Sequence, residues 1–306
     1  MKNGKFDVGT LVKGKDLKGY ILCKILTEDM VMRGFQYKIG LNEDVKPLAM
    51  KGNCKAGLHF FIIKDIPWYL GYRSKLALIS IPDDEDVYVG HKKFAAHRMV
   101  IEKVLPMDSV LNRAAEWECL MLNGTDITAN NNRAVKWAAK RGYLEVVKCL
   151  HEYGADITAS NNYAIRWAAE NGHLGVVRYL HENGADITAE DNYAVRRAAV
   201  CGHLEVVEYL HENGADITAE ENEAVRRAAE HGHLEVVKYL HENGADITAN
   251  NNYAVRFAAG NGRLGVIKYL HKNGADITAG DNEAVRRAAA YGHLNVVRYL
   301  HKNGAV

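Results

Sequence analysis

Asp191-Asn-Tyr-Ala-Val-Arg-Arg-Ala-Ala199, then Gly202-His-Leu-Glu-Val-Val-Glu-Tyr-Leu-His-Glu-Asn213, then Gly214-Ala-Asp-Ile-Thr-Ala219 make one phrase that returns every thirty residues. Its closing hexapeptide stands at Gly154, Gly184, Gly214, Gly244 and Gly274, with a near-copy at Gly124 and a truncated start at Gly304. A fixed period of this size marks stacked supersecondary units, each able to bury its apolar face only against its neighbours. About two thirds of the 306-residue chain is then an extended surface, which points to binding before catalysis.

One unit, 161–190, reads as helix, turn, helix, loop. Asn162 has the side chain to cap a helix start, its oxygen accepting from first-turn N–H groups. Ile165, Ala168 and Ala169 follow at i, i+3 and i+4, one face of a short helix, and the Ala pair permits close helix approach. Asn171-Gly172 ends that run, glycine supplying a left-handed stop. A second helix from His173 would place Leu174, Val177, Leu180 and His181 on one packed face. Asn183-Gly184 stops it, and Ala185-Asp-Ile-Thr-Ala189 is expected to cross in extended form to the next unit.

The Ala-Ala pair, Gly-His-Leu-Glu-Val-Val and Asn-Gly-Ala-Asp-Ile, in this order in almost every unit of 124–304, resemble the ankyrin repeat. Six full units are expected over 131–306, with Ala-Ala at 138, 168, 198, 228, 258 and 288. The fold class is thus an α-solenoid of ankyrin repeats preceded by a small α+β domain. Two departures matter. The family period is about 33 residues, and the missing residues fall between Ala-Asp-Ile-Thr-Ala and the first helix, where the family builds its β-turn finger. The Thr-Pro-Leu-His opening is replaced by Tyr163-Ala-Ile-Arg166 and its equivalents. Fingers often carry recognition in that family, so their shortening moves the expected binding surface to the helices.

The constant positions explain the scaffold, and the changing ones carry the information. In the first helix the positions of 163, 167 and 170 lie at i, i+4 and i+7. Down the array they read Arg133, Trp137, Lys140; Tyr163, Trp167, Glu170; Tyr193, Arg197, Val200; Glu223, Arg227, Glu230; Tyr253, Phe257, Gly260; and Glu283, Arg287, Ala290. Tyr, Trp and Arg dominate interface hot spots. The partner-binding face is therefore expected along this row, with Trp137 and Trp167 as an aromatic end and Arg197 and Arg227 as a basic centre. The plain alternative is exposed residues drifting without selection.

The basic column Lys136, Arg166, Arg196, Arg226, Arg256 and Arg286 invites two structural readings: pairing at i+4, as Arg166 with Glu170 and Arg226 with Glu230, or a backbone contact to the neighbouring unit. A phosphate ladder is disfavoured by the acidic surroundings. The histidines form two columns, one in the Gly-His turn (His173, His203, His233, His293) and one seven residues after the leucine of each second helix (His151 to His301). Stacked helices lie about 8–10 Å apart, too far for shared metal ligation at about 2 Å. Hydrogen bonding between units is their expected role.

Composition sets outer bounds. Apolar residues are 48% and charged residues 25% of the chain, with net charge +1. Residues 1–107 hold 18 Lys or Arg against 12 Asp or Glu, and residues 108–306 hold 21 against 26. A mildly acidic array disfavours a nucleic-acid partner. No apolar run reaches membrane-spanning length, and Met1-Lys-Asn-Gly-Lys-Phe-Asp7 lacks the apolar stretch of a secretory signal. Cys23, Cys54, Cys119, Cys149 and Cys201 follow no repeated spacing and read as free thiols, so a cytoplasmic, non-secreted protein without cofactor or metal is expected.

Residues 1–107 share none of the period. Tyr20–Leu26, Phe35–Ile39, Leu58–Ile63, Leu76–Ile81, Asp86–Val89 and Met99–Val104 are short β-forming runs, and Asp65-Ile-Pro-Trp-Tyr-Leu70 opens like a helix. Residues 108–130 read as a degenerate capping repeat, since Leu111 to Gly124 is six residues short between its Ala pair and its Asn-Gly. With Gly57-Leu-His-Phe60, Leu78-Ile-Ser-Ile-Pro-Asp83 and Lys93-Phe-Ala-Ala-His97, the whole chain resembles the ankyrin-repeat proteins of giant DNA viruses of the mimivirus type. That resemblance implies a viral protein binding host or viral proteins. The leader also faintly resembles the ADP-ribosyltransferase core, which makes an enzyme leader targeted by the repeats the competing reading. It lacks a Walker loop, a nucleophile elbow and His-Glu-x-x-His. Cys54, His59, His91 and His97 fit no metal spacing, so no catalytic or metal residue is assigned.

Overall fold

The computed structural model describes residues 2–3, 6–27, 29–32, 35–44, 58–68, 70, 75–91, 93–112, 120 and 125–306. The chain divides into two compact units, Met1–Trp137 with Glu145–Ala155, and Ala138–Leu144 with Asp156–Val306.

The leader is built on strands. In chain order these are β1 (Lys2–Asn3), β2 (Phe6–Asp7), β3 (Leu11–Lys13), β4 (Leu22–Leu26), β5 (Val31–Met32) and β6 (Phe35–Gln36). Then come β7 (Gly40–Glu43), β8 (Leu58–Ile62), β9 (Lys75–Ser80), β10 (Asp86–Val89), β11 (Phe94–Ala96) and β12 (Arg98–Pro106). Eight form one sheet in the order β3-β10-β11-β8-β4-β9-β12-β7, while β1-β2 and β5-β6 are separate ribbons. Every described pairing is antiparallel. Central β4 is buried along its whole length, as its unbroken Leu-Cys-Lys-Ile-Leu allows. Phe60 and Phe94 stack at 5.5 Å among Leu26, Leu58, Met99 and Ile101, all fully buried.

The expected helix at Asp65–Leu70 is a 3-10 turn, Ile63–Trp68, with Pro67 inside it. Pro67 is its fifth residue, past the first-turn position that the sequence pattern assigned to it. Six strands escape the sequence pattern, β1, β2, β3, β5, β7 and β11, each of two to four residues. Runs so short show no alternation to detect. Residues 113–119 and 121–124 of the expected capping repeat lie outside the described residues, as does Cys54.

In the second unit the helical hairpins recur with the sequence period. First helices span Ala159–Glu170, Ala189–Cys201, Ala219–His231, Ala249–Gly260 and Ala279–Ala290. Second helices span Leu174–Glu182, Leu204–Glu212, Leu234–Glu242, Leu264–Lys272 and Leu294–Lys302. Ala164, Ile165, Ala168 and Ala169 are buried in the first helix, and Val176, Val177 and Leu180 in the second. Leu174 and His181, expected on the packed face, are only half-buried.

Between units the chain does not cross extended. Asp156 Oδ1 accepts from the Thr158 N–H at 2.8 Å and the Thr158 hydroxyl at 2.7 Å, making a tight turn. Ser160, Asn161 and Asn162 then take left-handed angles, φ 59°, 58° and 58°. Asn162 N–H closes this turn on the Thr158 carbonyl at 2.8 Å. Asn, Asp and Gly tolerate such angles best, and the six equivalent triplets are rich in them. A short left-handed turn therefore stands where the family carries its finger. Asn162 is no helix cap: its Oδ1 accepts at 2.9 Å from the Asp186 N–H, in the loop that leads to the next unit, and Asn192, Asn222 and Asn252 repeat the staple.

The basic column holds this turn. Arg166 Nε donates to the Asn161 carbonyl at 3.0 Å and Nη2 to the Ser160 carbonyl at 3.2 Å, and Arg226 does the same to Glu221 and Glu220. The expected pairs of Arg166 with Glu170 and Arg226 with Glu230 are replaced by this backbone clamp, because the left-handed turn aims its carbonyls at the guanidinium. The histidines tie unit to unit, as anticipated. His203 Nε2–H donates to the Glu170 carbonyl at 3.0 Å, and His181 Nδ1 shares a hydrogen bond with the Tyr209 hydroxyl at 2.8 Å. His173, His233 and His293 repeat the first bond; His211, His241 and His271 repeat the second.

Candidate partner-binding face

The first-helix row follows from the thirty-residue repeat of the hairpin, which sets equivalent side chains one above the next. Tyr163, Trp167, Glu170, Tyr193, Arg197, Glu223, Arg227, Tyr253, Phe257 and Arg287 are all half-buried, as are Arg133 and Lys140. Trp137 departs from expectation. It is 7% exposed, so it is a packed side chain and leaves the binding face. An indole at this helical position has a large apolar area to bury, and packing has taken it.

The half-buried members form a ladder from one unit to the next. Lys140 Nζ lies 3.7 Å above the Trp167 ring. Arg197 grips Glu170 with Nε at 3.3 Å and Nη2 at 3.1 Å. Arg227 Nη1 reaches Glu230 at 2.8 Å and the Tyr253 hydroxyl at 2.9 Å, and Tyr253 donates to Glu230 at 3.1 Å. Burial pushes the Tyr253 hydroxyl above its ordinary pKa, which keeps it a donor. Tyr253 stacks on Phe257 at 3.7 Å, and Arg287 lies 4.1 Å over Phe257 while its Nε meets Glu283 at 2.5 Å. Arg196 and Arg256 pair with Glu223 and Glu283 of the following units. Each of these residues is oriented by a neighbour.

Where Gly260 replaces the Lys, Glu or Val of earlier units, a groove of about 560 Å³ opens between Glu230, Phe257, Asn261, Arg287, Tyr291 and His293. Tyr291, 67% exposed, was not singled out by the sequence, because it belongs to the turn rather than the helix row. The guanidiniums of the clamp column are committed to carbonyls, which removes the phosphate-ladder reading.

Cys23, Cys149 and Cys201 are free thiols, and burial pushes Cys23 up to about 12, far from a reactive thiolate. His59, His91 and His97 belong to no group of three or more His, Cys, Asp or Glu able to hold a metal among the described residues. Buried Glu85 is occupied by the His97 N–H at 2.8 Å and Arg98 Nε at 2.7 Å, a structural role. No helix among the described residues is long and apolar enough to cross a membrane.

Stacked hairpins with buried Ala pairs, Gly-His turns and inter-unit histidine bonds define a helical repeat solenoid. The family model "Ankyrin repeats (3 copies)" matches over 111–191, 137–221, 190–251 and 225–306, and the chain belongs to the ankyrin-repeat family. Two ankyrin repeat proteins of Acanthamoeba polyphaga mimivirus are 30% and 37% identical over 41% and 42% of this chain. The chain spans only 43% and 39% of their lengths. An uncharacterized protein of the same virus is 32% identical over 40% of this chain and 92% of its own length. The crystal structure of the human ASB11 ankyrin repeat domain superposes with a TM-score of 0.50 at 23% identity, covering 56% of this chain and 84% of that one. That likeness concerns the fold alone. These matches give the ADP-ribosyltransferase reading of the leader no support.

Proposed function

We propose that this chain is a non-enzymatic protein-interaction scaffold, of viral origin and cytoplasmic, that holds a host or viral protein along its first-helix row. The observation that carries this reading is the pre-ordered ladder from Trp167 to Arg287. Its aromatic and Arg side chains are half-exposed yet already fixed by neighbours, so binding costs little rotamer entropy. The groove beside Gly260 is the natural seat for one anchoring side chain of the partner. Alternating carboxylates and guanidiniums along the row suit a partner with mixed charge rather than a polyanion.

The test is affinity capture with the full chain as bait. Tyr163→Ala/Trp167→Ala/Phe257→Ala should lose a partner that Glu205→Ala/Glu235→Ala retains, with both variants shown folded by thermal melts. Equal recovery by the two variants would place the partner on another surface.

A further inference from the structure

The outer side of the second helices carries a charge pattern that the partner face does not use. In the third and fourth units this side presents Glu205, Glu208, Glu212, Glu235 and Glu242 with Lys238 alone opposing them. In the fifth and sixth it presents Arg263, Lys268, Lys272, Arg298 and Lys302 with no carboxylate. All are exposed except Glu208 and Lys238, which are half-buried. Among the described residues, the ion pair within these eleven is Lys238 to Glu235 at 2.8 Å. A net of −4 therefore adjoins a net of +5 on one continuous row of helices. The earlier units carry a net of only −1 there, with Glu145, Lys148 and Glu152, then Arg178 and Glu182.

We propose that this face is a self-association surface, and that its occupant is a second copy of this chain bound with its array reversed. A two-fold axis parallel to the second helices, between the fourth and fifth units, lays each acidic block on the other copy's basic block. Equivalent rows then meet: Glu242 faces Lys272 of the second copy, Glu212 faces Lys302, and Glu208 faces Arg298. The one like-charge meeting, Lys238 with Lys268, is relieved because Lys238 is held by Glu235. Repeat spacing of about 8–10 Å is the same in both copies, so the match needs no distortion. The contact is isologous, as a closed dimer requires. A parallel arrangement would set acid on acid and base on base, so the pattern selects the reversed one. The surface lies on the second helices, so its failure leaves the proposed first-helix function standing.

Sedimentation velocity of the full chain tests this. The 34.1 kDa protein should double in mass at about 50 mM salt and revert toward monomer at about 500 mM, where the screening length shrinks below about 5 Å. Glu208→Lys/Glu212→Lys/Glu242→Lys and Lys272→Glu/Arg298→Glu/Lys302→Glu should each be monomeric alone, because every facing pair becomes like-charged. Mixed in equal amounts, the two variants should form a heterodimer. A monomer at every salt concentration overturns the proposal, as do dimers that survive in both variants, or variants that fail to pair when mixed.

Discussion

Gly172→Ala probes the inter-unit packing most sharply. Gly172 has φ +76°, and a Cβ there would lie 2.6 Å from Nδ1 of His203 in the next unit. Two costs follow. An alanine in the left-handed region loses about 1–2 kcal/mol. The imidazole must also swing away, breaking its 3.0 Å bond to the Glu170 carbonyl, for a further ~0.5–1.5 kcal/mol. Gly184→Ala is the matched control, with φ +96° and nothing within 4 Å of the added carbon. It bears only the first cost. Any gain from a stiffer unfolded chain is shared by both and cancels. Urea unfolding followed by circular dichroism should therefore find Gly172→Ala less stable than Gly184→Ala by about 1 kcal/mol. In Gly172→Ala/His203→Ala the two effects should be strongly non-additive, because removing the ring removes the clash. Equal midpoints for the two glycine variants, or simple additivity in the double variant, would refute the packing argument.

Three other outcomes follow from the same geometry. Arg226→Met keeps the buried stem but loses two charged hydrogen bonds to the left-handed turn, and should cost about 2–3 kcal/mol in the same unfolding assay. Arg286→Met, exposed and with one such bond, should cost clearly less. Asn222→Ala removes the bond from the Asp246 N–H and forces alanine to φ 62°, for about 2 kcal/mol. Burial lowers the pKa of His173 and His233, so the unfolded chain binds more protons below its own histidine value of about 6.5. That stability is present above about pH 6.5 and is lost as pH falls toward the lowered values, and His233→Gln should flatten the slope of unfolding free energy against pH there.

The period, the hairpin and the Ala-Ala packing were legible because each depends on local spacing that a repeat displays many times over. The histidine bonds between units were foreseen from spacing as well, since a ring every thirty residues can reach only its neighbour. Asn162 and Arg166 were misread for one reason: the left-handed turn at 160–162 puts the Asn amide toward the next unit and the backbone carbonyls toward the guanidinium. Nothing in helical periodicity announces three consecutive positive φ angles. Trp137 shows the limit of composition as a guide, since an indole serves a buried contact as readily as an interface. Glu230 and Gly260 mattered as a pair only once Phe257 and Arg287 stood beside them in space.

Removing one whole period tests the stacked-unit architecture most directly. Deleting residues 191–220 joins Glu190 to Glu221, removes the Asn192–Asp216 staple as a whole, and leaves Asn162 on Asp186 and Asn222 on Asp246. Circular dichroism and urea unfolding should show a folded array with unchanged helicity per residue outside the leader and a lowered midpoint, as nearest-neighbour stacking requires. Deleting 191–205, half a period, should abolish the cooperative transition of the array. Loss of folding in the in-phase deletion, or tolerance of the half-period one, would contradict an architecture of interchangeable thirty-residue units.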